Sequence, residues 1–168
     1  MRRLKILVIP LLVALAGAVW LGVRARIRAT ALAGSAADQP KPHQHHPPHG
    51  GTPIVLGDEA FHLELVRDPA AGALKVYVLD GEMEEFVRIK ARQLDLQVEM
   101  EGRTSTLALK AVADAATGET VGDTCLFEAK ADWIKRTGHF KGVFPLLQIQ
   151  DQTFRKVAFD FPEGNDKD

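Results

Sequence analysis

From Pro53 onward the chain alternates between apolar and polar residues with a period of two, the spacing of strands that bury one face. FHLELV (61–66) sets Phe61, Leu63 and Leu65 against His62, Glu64 and Val66, and LDLQVEM (94–100) sets Leu94, Leu96, Val98 and Met100 against Asp95, Gln97 and Glu99. Similar runs occur at PIVL (53–56), ALKVYVL (73–79), FVRIK (86–90), TLALKAV (106–112), CLFEAKA (125–131), HFKGVF (139–144), LLQIQ (146–150) and FRKVAFDF (154–161). Turn formers separate them at DPAAG (68–72), DG (80–81), EGR (101–103) and TGETVGD (117–123), and EGR between two alternating runs is the clearest hairpin. KAVADAATG (110–118) is the best candidate for a short helix. About eight to ten strands joined by tight turns, without crossover helices, predict an all-β domain over residues 53–161. The expected architecture is an antiparallel two-sheet sandwich, immunoglobulin-like or related, followed by a frayed polar tail at 162–168.

The N-terminus follows a different pattern. Residues 6–23 are 18 consecutive uncharged positions, enough at the helical rise to cover roughly 27 Å of hydrocarbon. Residues 1–28 are therefore expected to form a single membrane-spanning anchor, with Trp20 at the interface. A cleaved signal sequence is the competing reading, because Arg2, Arg3 and Lys5 precede the apolar run and ALA at 31–33 has the small-residue pattern of a cleavage site. Arg24, Arg26 and Arg28, standing between the apolar core and that site, favour the anchor. Residues 29–52 change to Ala, Gly, Ser, Pro, Gln and His, with no period that could bury a face. They read as a disordered linker, stiffened by Pro40, Pro42, Pro47 and Pro48 and loosened by Gly50 and Gly51.

A near-neutral total conceals two parts of opposite charge. Residues 1–42 hold seven Lys or Arg and one Asp, whereas 43–168 hold fourteen basic and twenty-one acidic residues. An acidic domain without a basic, aromatic-interleaved patch argues against nucleic-acid binding. The single Cys125 cannot form an internal disulfide and is expected as a small buried residue.

Catalytic patterns are missing: there is no GxSxG, HExxH, Gly-rich phosphate loop or CxxC pair. No enzymatic activity is expected. The positive chemical signal is HQHHPPHGG at 43–51, in which His43, His45, His46 and His49 offer four imidazoles within one short segment. Neutral imidazole suits divalent copper and zinc, and a polyproline-like path would align His43, His46 and His49 on one face. An inert spacer is the other reading of the same residues. His62 and Glu64, two apart on one strand face, either share an ion or form part of a solvated polar surface.

The pattern His49-Gly50-Gly51, followed by Gly57, FHLELV (61–66) and VYVLDG (76–81), resembles a group of small periplasmic β-rich bacterial modules that occur beside or within adaptor subunits of heavy-metal efflux systems. The resemblance covers residues 43–161. It implies an envelope location, no catalysis and a role in binding or handing over metal ions, with His49 and His62 as the positions carried over. Paired Met or Cys residues are absent, which argues against a dedicated Cu(I) site. Together these readings predict a single-pass inner-membrane protein whose C-terminal domain lies in the periplasm, binding copper or zinc and working with efflux adaptor or transporter subunits. The alternative is a structural or protein-interaction module of the envelope.

Overall fold

The computed structural model describes residues 46–166. The predicted anchor, most of the linker and the residues His43 and His45 lie outside them. Among the described residues no helix is long and apolar enough to cross a membrane.

Eight antiparallel strands form the domain: β1 (Thr52–Leu56), β2 (Phe61–Asp68), β3 (Ala73–Asp80), β4 (Gln93–Met100), β5 (Arg103–Ala111), β6 (Leu126–Lys130), β7 (Phe140–Ile149) and β8 (Gln152–Phe161). A five-residue helix, α1 (Asp132–Arg136), joins β6 to β7. The all-β antiparallel class agrees with the sequence pattern, but the division into two sheets does not. The strands lie in one sheet of order β1-β2-β3-β6-β5-β4-β7-β8, curled into a nearly closed barrel.

The curl follows from where the alternation breaks. Along β7, Phe140, Gly142 and Phe144 are buried, after which the buried positions move to Leu147 and Ile149. Opposite, Phe161 and Phe159 are buried on β8, and the phase changes at Lys156, whose φ is 53°. The pairing Phe144↔Val157 resumes at Leu146↔Arg155, skipping Pro145 and Lys156. A proline without an N–H and a left-handed residue thus turn both strands through one corner, which bends a sheet toward closure. Sequence alternation alone splits β7 into two runs at this point.

Closure comes from the segment after β8. The Asn165 side chain bonds the β1 backbone twice, accepting from Val55 N–H at 2.8 Å and donating to Val55 C=O at 3.1 Å. Thr52 Oγ1 donates to Pro162 C=O at 3.0 Å. Gly164, at φ 85°, lies so close to β1 that a Cβ there would stand 2.4 Å from the Pro53 carbonyl oxygen. Residues 162–165, expected to fray, instead cover the edge of β1.

The interior is filled from β1 to β7 by Ile54, Leu63, Leu65, Leu74, Val76, Leu96, Val98, Leu109, Phe127 and Phe144, each with no exposed surface, and from β8 by the buried Phe159 and Phe161. Phe127, Phe140 and Phe144 take the core positions the pattern assigns, and Trp133 of α1 packs edge-on against Phe140. The EGR hairpin forms as expected, with Met100 paired to Arg103 and Glu101 and Gly102 both at positive φ, the geometry of a tight two-residue turn. FVRIK does not become a strand. Its backbone forms only the isolated bridges Leu79↔Phe86 and Ile89↔Thr124, β6 being paired with β3 over Ala73–Tyr77, and it buries Ile89 in the core. Residues 112–118 are loop and turn, so the short helix lies at α1 and not at 110–118.

Candidate functional site

The outer face of β2 is the unexpected surface. His62 and Glu64 point away from the barrel interior, yet both are fully buried. The expectation of a solvated polar face fails at Glu64 because the chain preceding β1 lies across it.

Glu64 is the centre of the arrangement. Its Oε1 accepts the His49 backbone N–H at 2.8 Å and the Gly51 N–H at 2.9 Å. Its Oε2 accepts from His49 Nδ1 at 2.8 Å. A buried carboxylate is costly unless it is hydrogen-bonded, and three donors engage both of its oxygens here. The carboxylate can only accept, so His49 carries its proton on Nδ1 and presents Nε2 on the opposite side of the ring.

The ring sits in an aromatic corner made by Tyr77 and Phe86, which also touch each other. It stacks on Tyr77 of β3 with centroids 4.0 Å apart and planes at 14°, and Phe86 meets it at 5.7 Å, tilted by 48°. Glu64 and Tyr77 are directly paired across β2 and β3, which places the carboxylate and the aromatic platform side by side. Burial first, and the Glu64 charge second, push the Tyr77 hydroxyl above its ordinary value. The side chain of His49 keeps 37% of its surface exposed while that of Glu64 keeps none.

The two glycines are what let the segment seat. Gly50 has φ 67°, which turns the chain after His49. At Gly51 a Cβ would stand 2.5 Å from the Leu65 carbonyl oxygen and 2.9 Å from Glu64 Cγ. Instead of loosening the chain before β1, the pair allows it to approach the sheet closely enough for both amides to reach one carboxylate.

Of the predicted site residues, His49 and Glu64 are brought into direct contact. His62 donates from Nδ1 to the Asp80 carbonyl at 3.2 Å, directed to the turn after β3. His46 lies three residues from the seated ring, and His43 and His45 lie outside the described residues. Among the described residues no group of three or more His, Cys, Asp or Glu is arranged to hold a metal ion. Gly51, known from the sequence only as part of the HGG motif, completes the seat together with Tyr77 and Phe86, which the sequence pattern did not single out.

A second polar cluster anchors the loop between β5 and β6. Glu119 Oε1 accepts the Cys125 N–H at 2.9 Å and Oε2 accepts the Thr117 hydroxyl at 3.0 Å. Arg88 donates to the Thr117 carbonyl at 2.6 Å and stands 3.5 Å from Asp123 and 3.8 Å from Glu119. Burial raises the Glu119 carboxyl, but the Cys125 N–H, the Cys125 thiol, the Thr117 hydroxyl and Arg88 outweigh it and hold the group below its ordinary value. Burial, followed by the Glu119 hydrogen bond and charge, pushes the Cys125 thiol up to about 12. Such a thiol is protonated and inert near neutral pH.

Comparison with family models, with curated proteins and with solved structures returns no match to this chain.

Proposed function

We propose that the protein is a non-catalytic β-barrel module of the bacterial envelope, anchored by residues 1–28 in the inner membrane, that binds a divalent metal ion at the root of its His-rich tether beside a metal-efflux system. The observation that supports the metal reading is the hydrogen bond from His49 Nδ1 to the buried Glu64 carboxylate. Metal-ligating histidines commonly donate their second ring N–H to a carboxylate, which fixes the tautomer, aims the other nitrogen and raises its basicity. In this reading Nε2 of His49 is the ligand, Glu64 orients it, and His43, His45 and His46 supply the further nitrogens. His62, turned to Asp80, has no part in the site. Copper(II) is preferred over zinc, as expected for a nitrogen site of low geometric constraint.

The test is titration of the full chain with Cu(II) and Zn(II), read by calorimetry and, for copper, by nitrogen splitting in the paramagnetic resonance spectrum. His43, His45 and His46 changed together to Ala should abolish binding. Glu64→Gln should weaken it by roughly ten- to a hundredfold. Unchanged affinity in both variants rejects the reading.

A second reading rests on the same seat. The three hydrogen bonds to Glu64 and the stacking on Tyr77 are sufficient to make His49 a structural clasp that fixes the start of the barrel. The protein is then an interaction module on an inert spacer. It predicts no metal binding by the wild-type chain and a stability loss in His49→Ala.

A further inference from the structure

The barrel wall is incomplete along β5. That strand pairs with β4 over its full length from Arg103 to Lys110, but with β6 only at Lys110 and Ala111. In the tight hairpin the bonded pair Met100↔Arg103 sets the alternation, so the N–H and C=O groups of Thr104, Thr106, Ala108 and Lys110 point away from β4. The same phase appears farther on, where Val112 N–H donates to the Leu126 carbonyl of β6. Lys110 and Val112 are thus used by β6, while among the described residues nothing pairs with the outward groups of Thr104, Thr106 and Ala108.

The devices that normally guard such an edge are absent from this stretch. Residues 104–109, TSTLAL, contain no charge, proline or glycine, and Thr104, Ser105 and Thr106 are exposed. Arg103 and Lys110 bracket it.

We propose that this edge pairs with the same edge of a second copy, antiparallel about a two-fold axis through Thr106. The backbone phase requires an outward residue to bond an outward residue, and centring the seam on the middle of the three unpaired residues, which engages all of them, sets Thr106 facing Thr106 of the second copy and Thr104 facing Ala108. This alignment sets Arg103 opposite Leu109, while Lys110, whose outward groups β6 already holds, lies beyond the seam, so no like charges face each other. The outer face of the seam then carries small and β-branched side chains, which pair well across strands. A shift of one residue would bring Arg103 against Lys110 and turn unbonded groups toward one another. The contact is short, so the dimer is weak and concentration-dependent.

The test is oxidation of the full-length chain with diamide after introduction of a single cysteine on the edge; buried Cys125 serves as the unreactive background. Thr106→Cys places two Cα atoms about 5.5 Å apart in the dimer, within disulfide range, and should give a covalent dimer whose yield rises with protein concentration. Thr104→Cys should not, since it faces Ala108. Adding Ala108→Pro to Thr106→Cys removes an outward N–H without touching the β4 ladder and should suppress the dimer while leaving the circular dichroism spectrum unchanged. Equal cross-linking at positions 104 and 106, or yields that Ala108→Pro does not lower in a folded protein, overturns the proposal.

Discussion

His49 Nδ1 meets Glu64 Oε2 at 2.8 Å across fifteen residues of sequence, and the same carboxylate holds the backbone of His49 and Gly51. One side chain therefore fixes the chain that enters the barrel. Glu64→Ala removes the acceptor of three hydrogen bonds from a buried position and is expected to cost on the order of 3 kcal/mol. His49→Ala, which leaves two amide bonds intact, should cost about 1 kcal/mol. Urea unfolding of the two variants measures both; an equal loss would show that the imidazole dominates the seat.

The glycines of HGG are expected to differ in a defined order. Gly51→Ala forces a methyl group into the Leu65 carbonyl and the Glu64 side chain, a clash that backbone cannot relieve cheaply, and should destabilise by about 2 kcal/mol or more. Gly50→Ala meets no atom within 4 Å and suffers only from its positive φ, about 1 kcal/mol. Thermal melts of the single variants test the order.

Asn165→Ala deletes both side-chain bonds to Val55 and should lower stability by about 1 to 2 kcal/mol. The diagnostic readout is amide exchange. Protection of the Val55 N–H should fall far more than that of Leu63 or Val76, which sit inside the sheet.

The Glu119 carboxyl is held below its ordinary 4.5 in the folded state. Its contribution is fully present above that value and is lost as pH falls through the lower folded value, so Glu119→Gln should flatten part of the acid limb of the stability profile. Cys125 acts at the other end. With the folded thiol raised from 9.0 to about 12, its contribution is complete below 9 and declines as pH rises from 9 toward 12. Native protein should resist iodoacetamide at pH 8, and urea-unfolded protein should react at the rate of an ordinary thiol.

What could be read from the sequence was decided by period. β4 shows the alternation in pure form, Leu94, Leu96 and Val98 buried between exposed neighbours, and it was legible to within one residue, with only Met100 less buried than its phase implies. β2 misled because alternation identifies two faces and does not say what covers the outer one. Only long-range chain path buries His62 and Glu64, and a carboxylate in the middle of the apolar run FHLELV is the local signal that it needed a partner. The HGG stretch was visible as a motif, yet its contact with Glu64 depends on a backbone approach that composition does not encode. One sheet or two was decided by the corner at Pro145 and Lys156 and by Asn165, features of single residues that leave the average pattern unchanged.

The bond between Asn165 and Val55 joins positions 110 residues apart. During synthesis the first strand emerges long before the residues that shield its outer rim, and in that interval β1 exposes a row of backbone groups able to recruit any extended neighbour. Sealing is therefore a late event in the birth of the barrel, and shortening the chain before position 162 would leave newly made molecules prone to clumping even where every strand is present.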